Sequence, residues 1–461
     1  MKALLVIAGW LAYQALAAQQ HHMDEMQMPM DSMPAHMHME HSHSTSLSQD
    51  MADTGKVGMH SAYSLSLPMS RNGSGTSWQP DESPMYMYAI QVRKWTLMLH
   101  GMLFMRYNSQ NVNNKNKRGH ASQIDAPNMG MLMASTPIAK NGLLTLNGMF
   151  SVDRLTMDGN GYPLLLQTGE SWKDKPLVDR QHPHDLFAEL SIAYTQRFTK
   201  DIDLTAYFGL PGEPALGPTT FMHRASAISN PDAPLGHHWM DATHITFGVA
   251  TLGLRYKIIK AEGSIFTGRE PNEQRFDFDK PRFDSYSYRI NVNPHPTLAL
   301  QFSQGFIHSP EALEPEVNIM RTTASASFTK KFRGQSFVAI TAVYGLNTAL
   351  HKNDHAALLE ANYLVERFDI YARYEFVQKS AHELDLPTTI SKFNLQALTL
   401  GSDYKFFSMA NLDASLGAQI SGFFVPASLT TTYGSLPLSY EIYFRINPAQ
   451  MIMQHHDKHI N

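Results

Sequence analysis

From Trp95 onward, hydrophobic and polar residues alternate with a period of two, in stretches bounded by Gly, Pro, Asn and Asp. That is the pattern of β-strands with one apolar and one wet face. Phe368, Ile370, Ala372, Tyr374 and Phe376 share one face, and Asp369, Tyr371, Arg373 and Glu375 share the other. Tyr286, Tyr288, Ile290 and Val292 oppose Ser285, Ser287, Arg289 and Asn291 in the same way, and Leu438, Tyr440, Ile442, Phe444 and Ile446 oppose Ser439, Glu441, Tyr443 and Arg445. The alternation predicts sixteen strands, at 95–107, 129–137, 143–152, 185–198, 203–210, 243–257, 259–268, 283–293, 297–307, 318–330, 335–346, 355–366, 368–378, 393–405, 410–421 and 436–447. Tyr86 to Val92 reads as one more strand or as a segment entering the structure. Tight turns near Asn141-Gly142, Lys200-Asp201, Asn293-Pro294, Arg333-Gly334, Glu366-Arg367 and Met409-Ala410 alternate with long loops. A soluble β-sandwich also alternates. Here, however, the polar faces carry charges that suit a wet lumen, and aromatics collect at strand ends. With the short-long rhythm of connections, this predicts an all-β fold, a transmembrane antiparallel β-barrel of about sixteen strands. An even number places both chain ends on the short-turn, periplasmic side.

The residues before the barrel divide by composition. Lys2, the apolar run Ala3 to Tyr13 and the small-x-small site Ala15-Leu16-Ala17 form a signal peptide over 1–17. Residues 18–84 read as a disordered periplasmic segment, 85–447 as the outer-membrane barrel and 448–461 as a C-terminal tail. No apolar run is long enough for a transmembrane helix. The chain has no cysteine, so it has neither disulfides nor thiolate ligands, and coordination falls to Met, His and carboxylates. A net charge of −4 gives no electrostatic case for a nucleic-acid partner.

The 18–84 segment carries the most distinctive chemistry. His21, His22, Met23, Met26, Met28, Met30, Met33, His36, Met37, His38, Met39, His41 and His43 follow one another, with Met51, Met59 and His60 beyond them. Methionine runs are usually core filler. Here Pro29, Pro34, Asp24, Glu25, Asp31 and many serines leave no apolar face to bury, so the tract reads as metal-binding. Thioethers suit Cu(I) and imidazoles suit Cu(II), which favours copper as the ligand over zinc. Met451, Met453, His455, His456 and His459 repeat that chemistry in the C-terminal tail.

Within the barrel, Met98, His100 and Met102 share a face of the first strand with Thr96 and Arg106, and point inward on that reading. The facing of Met129, Met131 and Met133 on the second strand stays open. Two long external loops carry His182, His184 and Asp185, then His223, His237, His238, Asp241 and His244. Strands four and five share a short turn, so these histidines are expected as neighbours at the external mouth, with Asp185, Glu189 and His244 facing the lumen. Arg269, Glu270, Glu273, His308, Glu311 and Glu314 extend the same rim. Such loops either hold a metal at a constriction or tie their backbones together by hydrogen bonds. For a surface hydrolase, the nearest nucleophile–base pairs are His223 with Ser226 and His308 with Ser309, and neither has a motif. The chain is therefore not expected to be an enzyme.

The Met/His-rich leader followed by a barrel resembles the outer-membrane proteins of copper-resistance systems. The barrel is similar to a poorly characterised family of outer-membrane proteins through Asp179-Arg180-Gln181-His182-Pro183-His184-Asp185 with Phe187, and through Ala215-Leu216-Gly217-Pro218 with Phe221-Met222-His223-Arg224-Ala225-Ser226. Ala233-Pro234-Leu235-Gly236-His237-His238, Gly268-Arg269-Glu270-Pro271 and His308-Ser309-Pro310-Glu311-Ala312-Leu313-Glu314-Pro315 continue it, over about residues 85 to 350. The resemblance implies a porin-like barrel linked to heavy-metal handling and gives no ligand residues to carry over. The chain departs from such barrels in having a tail after Asn447-Pro448, which leaves Phe444 or Tyr443 as its terminal aromatic. The expected function is copper or silver tolerance at the outer membrane of a Gram-negative bacterium, by sequestration or passage. Expected partners are membrane lipid, the metal ion, periplasmic copper carriers or efflux components, and two further copies in a trimer. The alternatives are a general diffusion porin with an incidental tail, and a barrel hydrolase.

Overall fold

The computed structural model describes residues 60–451, apart from 389, 391 and 410. The expected signal peptide, the tract from His21 to Met59 and the tail with His455, His456 and His459 lie outside the described residues. The barrel is built from β1 (Met87–Val92), β2 (Trp95–Gln110), β3 (Ala121–Asp125), β4 (Asn128–Ile138), β5 (Gly142–Phe150), β6 (Phe187–Thr199), β7 (Ile202–Gly209), β8 (Val249–Tyr256) and β9 (Ile259–Phe266). It continues with β10 (Ser285–His295), β11 (Leu298–Ile307), β12 (Ile319–Lys331), β13 (Phe337–Ala349), β14 (Lys352–Val365), β15 (Phe368–Ser380), β16 (Lys392–Met409), β17 (Leu412–Phe424) and β18 (Leu438–Pro448). All neighbours pair antiparallel and the sheet closes.

Two staves are composite. β3 and β4 lie end to end along one side of β2, while β1 and β18 lie end to end along the other. The eighteen segments therefore make sixteen staves, as the alternation predicts. Closure leaves no unpaired sheet edge, which is what a strand-built protein needs in lipid. No helix among the described residues is long and apolar enough to cross a membrane, so crossing is by strands. Leu252, Leu254, Ile290, Ile340, Leu359, Ile370, Leu400 and Ile420 face outward, with Tyr256, Phe368, Tyr404 and Phe406 toward the short-turn end. Inward residues are charged and paired: Arg106 with Asp125, Asp232 and Glu441, Arg289 with Glu262, and Arg445 with Asp403.

Three expectations are corrected. Residues 60–84 are not part of a free segment. They form a small hairpin (His60–Ser61 with Ser64–Pro68) and a strap across the short-turn end of the lumen, and no residue from His60 to Met87 is exposed. Thr145 Oγ1 donates to the Ala62 carbonyl at 2.6 Å, Ser64 bonds Asp203, Arg289 donates to Thr76 Oγ1 at 2.9 Å and Lys330 meets Glu82 at 3.2 Å. A polar segment is buried here because the polar lumen wall supplies its hydrogen bonds. His244 does not open a strand. It ends a 3-10 turn (Ala242–His244), because the Gly212–Thr246 bridge holds the chain in the loop until Val249. The short-long rhythm breaks once, where only Leu350 and His351 join β13 to β14 at the long-loop end.

Candidate metal centre

The registers of β2 and β4 bring sulfur and nitrogen donors onto one patch of the lumen wall. Met98 pairs across the strands with Met133, His100 with Met131, and Met102 with Met129. Leu99 and Leu132 are 53% and 51% exposed on the outer face, so the intervening residues face inward on both strands. This gives the orientation left open for Met131 and Met133. The strap adds Met69, Met85 and Met87, and the loop 210–248 adds Met222 and His223. With Met98, His100, Met131 and Met133 they line a cavity of about 100 Å³. Met69, Met85 and Met98 are each buried there, with Met87 and Met133 packed against them. Met102 faces the lumen but packs toward Phe104, Tyr371 and Tyr443 outside the cavity.

The hydrogen bonding of His100 fixes its tautomer. Its Nδ1 lies 2.6 Å from the Tyr86 carbonyl, which only accepts, so Nδ1 carries the proton and Nε2 keeps its lone pair. That Nε2 is buried without a protein partner. The His223 ring lies 5.8 Å from that of His100. Burial, and then His100, lower the His223 pKa to about 3, so its imidazole is neutral. Thioethers with neutral imidazoles are the donor set of a soft monovalent ion and a poor one for a hard dication.

The external loops bring together five of the six predicted histidines. Ring centroids are 6.4 Å apart for His182 and His184, 6.1 Å for His182 and His238, and 5.7 Å for His184 and His244. His237 lies 5.4 Å from His238 and 5.2 Å from His244. His223 is the exception, held beside His100 instead. Four of the five meet a carboxylate: His184 with Asp153 at 2.8 Å, His237 with Asp241 at 2.7 Å, His238 with Glu270 at 3.1 Å and His182 with Glu170 at 3.2 Å. His244 Nδ1 lies 3.0 Å from the Asp241 carbonyl. Asp185 pairs with Arg275 at 3.2 Å rather than with an imidazole. Burial pushes the pKa of His237 and His244 down. Asp241 is held below the usual carboxylate range: burial opposes its charge, but His237 and Arg224 outweigh it. Among the described residues, no three His, Asp or Glu side chains are gathered so as to hold a metal ion. Of these bonds, His238 with Glu270 and Asp185 with Arg275 join neighbouring loops, and the others lie within one loop.

The two serine–histidine pairs are not formed. Ser226 Oγ lies 2.7 Å from Thr341 Oγ1 and 2.9 Å from Glu360, and Ser309 Oγ accepts from Arg269 at 2.6 Å. The sequence reading missed Met69, Met85, Met87 and Met222. The signal available was Met85-Tyr86-Met87, which alternates into β1 in phase with its lumen face.

A closed barrel of sixteen antiparallel staves, apolar outside and polar within, is an outer-membrane protein of porin-like build. No protein-family model matches the chain, and no curated protein matches it. Among solved structures it is similar to the anion-selective porin from Comamonas acidovorans, at 9% identity over 77% of this chain and 99% of that chain, with a TM-score of 0.47. It is also similar to the loop L8 deletion mutant of OmpT from Vibrio cholerae (10% identity, 77% and 99% covered, TM-score 0.46). A third is Salmonella typhi OmpF in complex with daunomycin (9% identity, 78% and 100% covered, TM-score 0.46).

Proposed function

We propose that this outer-membrane barrel binds a soft monovalent metal ion, Cu(I) or Ag(I), and takes part in tolerance of that metal. The observation that carries the reading is the lumen cavity whose lining combines Met69, Met85, Met98 and Met133 with His100, whose Nε2 is buried without a hydrogen-bond partner. Methionines that merely fill space need no buried imidazole aimed among them. The Met/His tract from His21 to His43 and the tail from Met451 supply donors of the same softness for capture. A general diffusion porin is the less favoured reading, because the strap and the loop 210–248 occupy the lumen. Apart from Leu210, Met222, His223 and Ala225, every residue of that loop is buried.

The test is a titration of the full chain in detergent with Ag(I), and with Cu(I) under reductant, in competition with a chromogenic chelator. Cavity occupancy is read from the 13C-methyl signals of labelled methionines. Binding that shifts Met98 and Met69, persists in excess Zn(II), and fails in Met98→Leu with His100→Gln supports the reading. Unmoved Met98 and Met69 signals at saturating Ag(I) would sink it.

A further inference from the structure

A second methionine-bearing hollow opens at the short-turn rim. It has a volume of about 590 Å³, and Met87, Met409 and Met451 contribute to its wall together with Gln335, Ser408 and Asn411. Met87 also lines the inner cavity, so one thioether belongs to both spaces. The hollow is built by the way the barrel closes. β18 leaves β2 after Ile446, β1 takes over below it, and the chain beyond Pro448 pairs antiparallel with Met85-Tyr86, which lead into β1. The Met451 amide donates to the Met85 carbonyl at 2.8 Å, and Gln450 bridges Tyr86. Met451 is thereby fixed beside the two strap methionines that reach inward. Met409 ends β16 at the same rim and is 64% exposed. On the other side, Met222, His223, Ala225 and Ile228 of the loop 210–248 cap the inner cavity toward the long-loop end.

We infer that the soft ion reaches the inner cavity from the periplasmic rim, passed from Met409 and Met451 to Met87 and from there to Met98 and His100. This inference rests on the proposed function and adds the direction of loading and the thioethers that carry it. Each step is a ligand exchange at Cu(I) or Ag(I): one metal–sulfur bond breaks as a bond to the next thioether, or at the end to His100 Nε2, forms, and no proton or electron moves. All the sulfur donors are neutral, so no step exposes a new charge to the low-dielectric wall. Met87 is the positioning link, because it is the one methionine common to both linings.

The absence of cysteine makes the test clean, since an introduced thiol is addressed alone. Ser408→Cys at the rim hollow and Asn272→Cys at the long-loop mouth, both exposed positions, are each capped with a bulky polyethylene-glycol maleimide in the full chain in nanodiscs. Ag(I) is added, and loading is timed by the 13C-methyl signals of Met98 and Met69. The expected result is loading at least tenfold slower with the rim cap and within twofold of the untagged protein with the mouth cap. The uncapped double variant Met409→Leu with Met451→Leu is expected to load at least tenfold more slowly. Unchanged loading under the rim cap, or slowing under the mouth cap alone, overturns the route and leaves the binding site standing. Failure of Met98 and Met69 to respond in the untagged protein overturns the proposed function itself.

Discussion

Glu360 ties the loop 210–248 to the barrel wall, and Glu360→Ala probes how far that tie closes the lumen. This β14 carboxylate accepts from Arg224 Nε at 2.6 Å and from Ser226 Oγ at 2.9 Å, both on the loop 210–248, and from Arg373 Nε at 3.1 Å on the neighbouring strand. All three charged side chains are at most 2% exposed. Removing one partner of a buried pair costs about 3–5 kcal/mol, because the remaining charge stays desolvated. Arg224 retains Asp241 at 2.9 Å, which places the loss toward the lower end of that range. At about 1.4 kcal/mol per factor of ten, the balance between docked and undocked loop shifts by roughly a hundredfold or more. Other ties remain, among them Asp232 to Arg106 at 2.7 Å and the His238 carbonyl to Arg321 at 2.6 Å, so the loop opens in episodes rather than detaching. In planar bilayers the variant should show open-channel events about a hundredfold more often than the unaltered chain. Glu360→Gln keeps an acceptor without the charge and should fall between the two. Traces indistinguishable from the unaltered protein, with or without a lower melting temperature, would refute the argument that this pair closes the lumen.

Three further outcomes are expected. Met98→Leu is a near-isosteric swap that should cost less than about 1.5 kcal/mol of stability, yet lower Ag(I) affinity at least tenfold in the competition titration. Trp78 of the strap is 8% exposed, with the Arg71 guanidinium 4.9 Å and the Lys260 ammonium 5.0 Å from its ring. Trp78→Ala should cost the strap about 3–5 kcal/mol and make Arg71 a trypsin site at the rim, while Trp78→Phe stays resistant in the same digest. Gly169 sits at φ +134°, and a Cβ there would come within 2.1 Å of the His238 ring. Gly169→Ala should therefore break the contact of His238 with Glu270 and move the His238 resonances in a 15N-histidine spectrum; unmoved resonances would contradict that packing.

How much of this was legible in the sequence follows from what burial means inside a barrel. The lipid-facing half of each strand must be apolar, so the period of two survives in the sequence and all sixteen predicted strands are found, within four residues at their ends except the one expected at 243–257, which opens at Val249. The same alternation oriented Met98 and His100 correctly. It failed for the strap, which reads as free chain, and it left open whether the loop 210–248 folds inward, since both are rich in Ser, Thr, Gly, Pro and charge. In a polar lumen hydropathy no longer reports burial: Ser77, Thr220 and Asp241 are as enclosed as Phe266 or Leu165, because neighbouring polar groups satisfy them. The cavity was half visible for the same reason. Its wall methionines lie on strands with a readable face, whereas Met69 and Met222 arrive on segments without periodicity, from two distant stretches of chain. His223 shows the limit most directly. Sequence proximity to His237 and His244 placed it with the loop cluster, but the loop turns at Phe221–His223 and delivers it to His100 instead. That turn gives the cavity its second imidazole, and it depends on Asp241 accepting the Phe221 amide at 3.0 Å while also pairing with Arg224. One buried carboxylate in the histidine cluster thus positions a residue of the methionine cavity, a coupling that spacing along the chain does not encode.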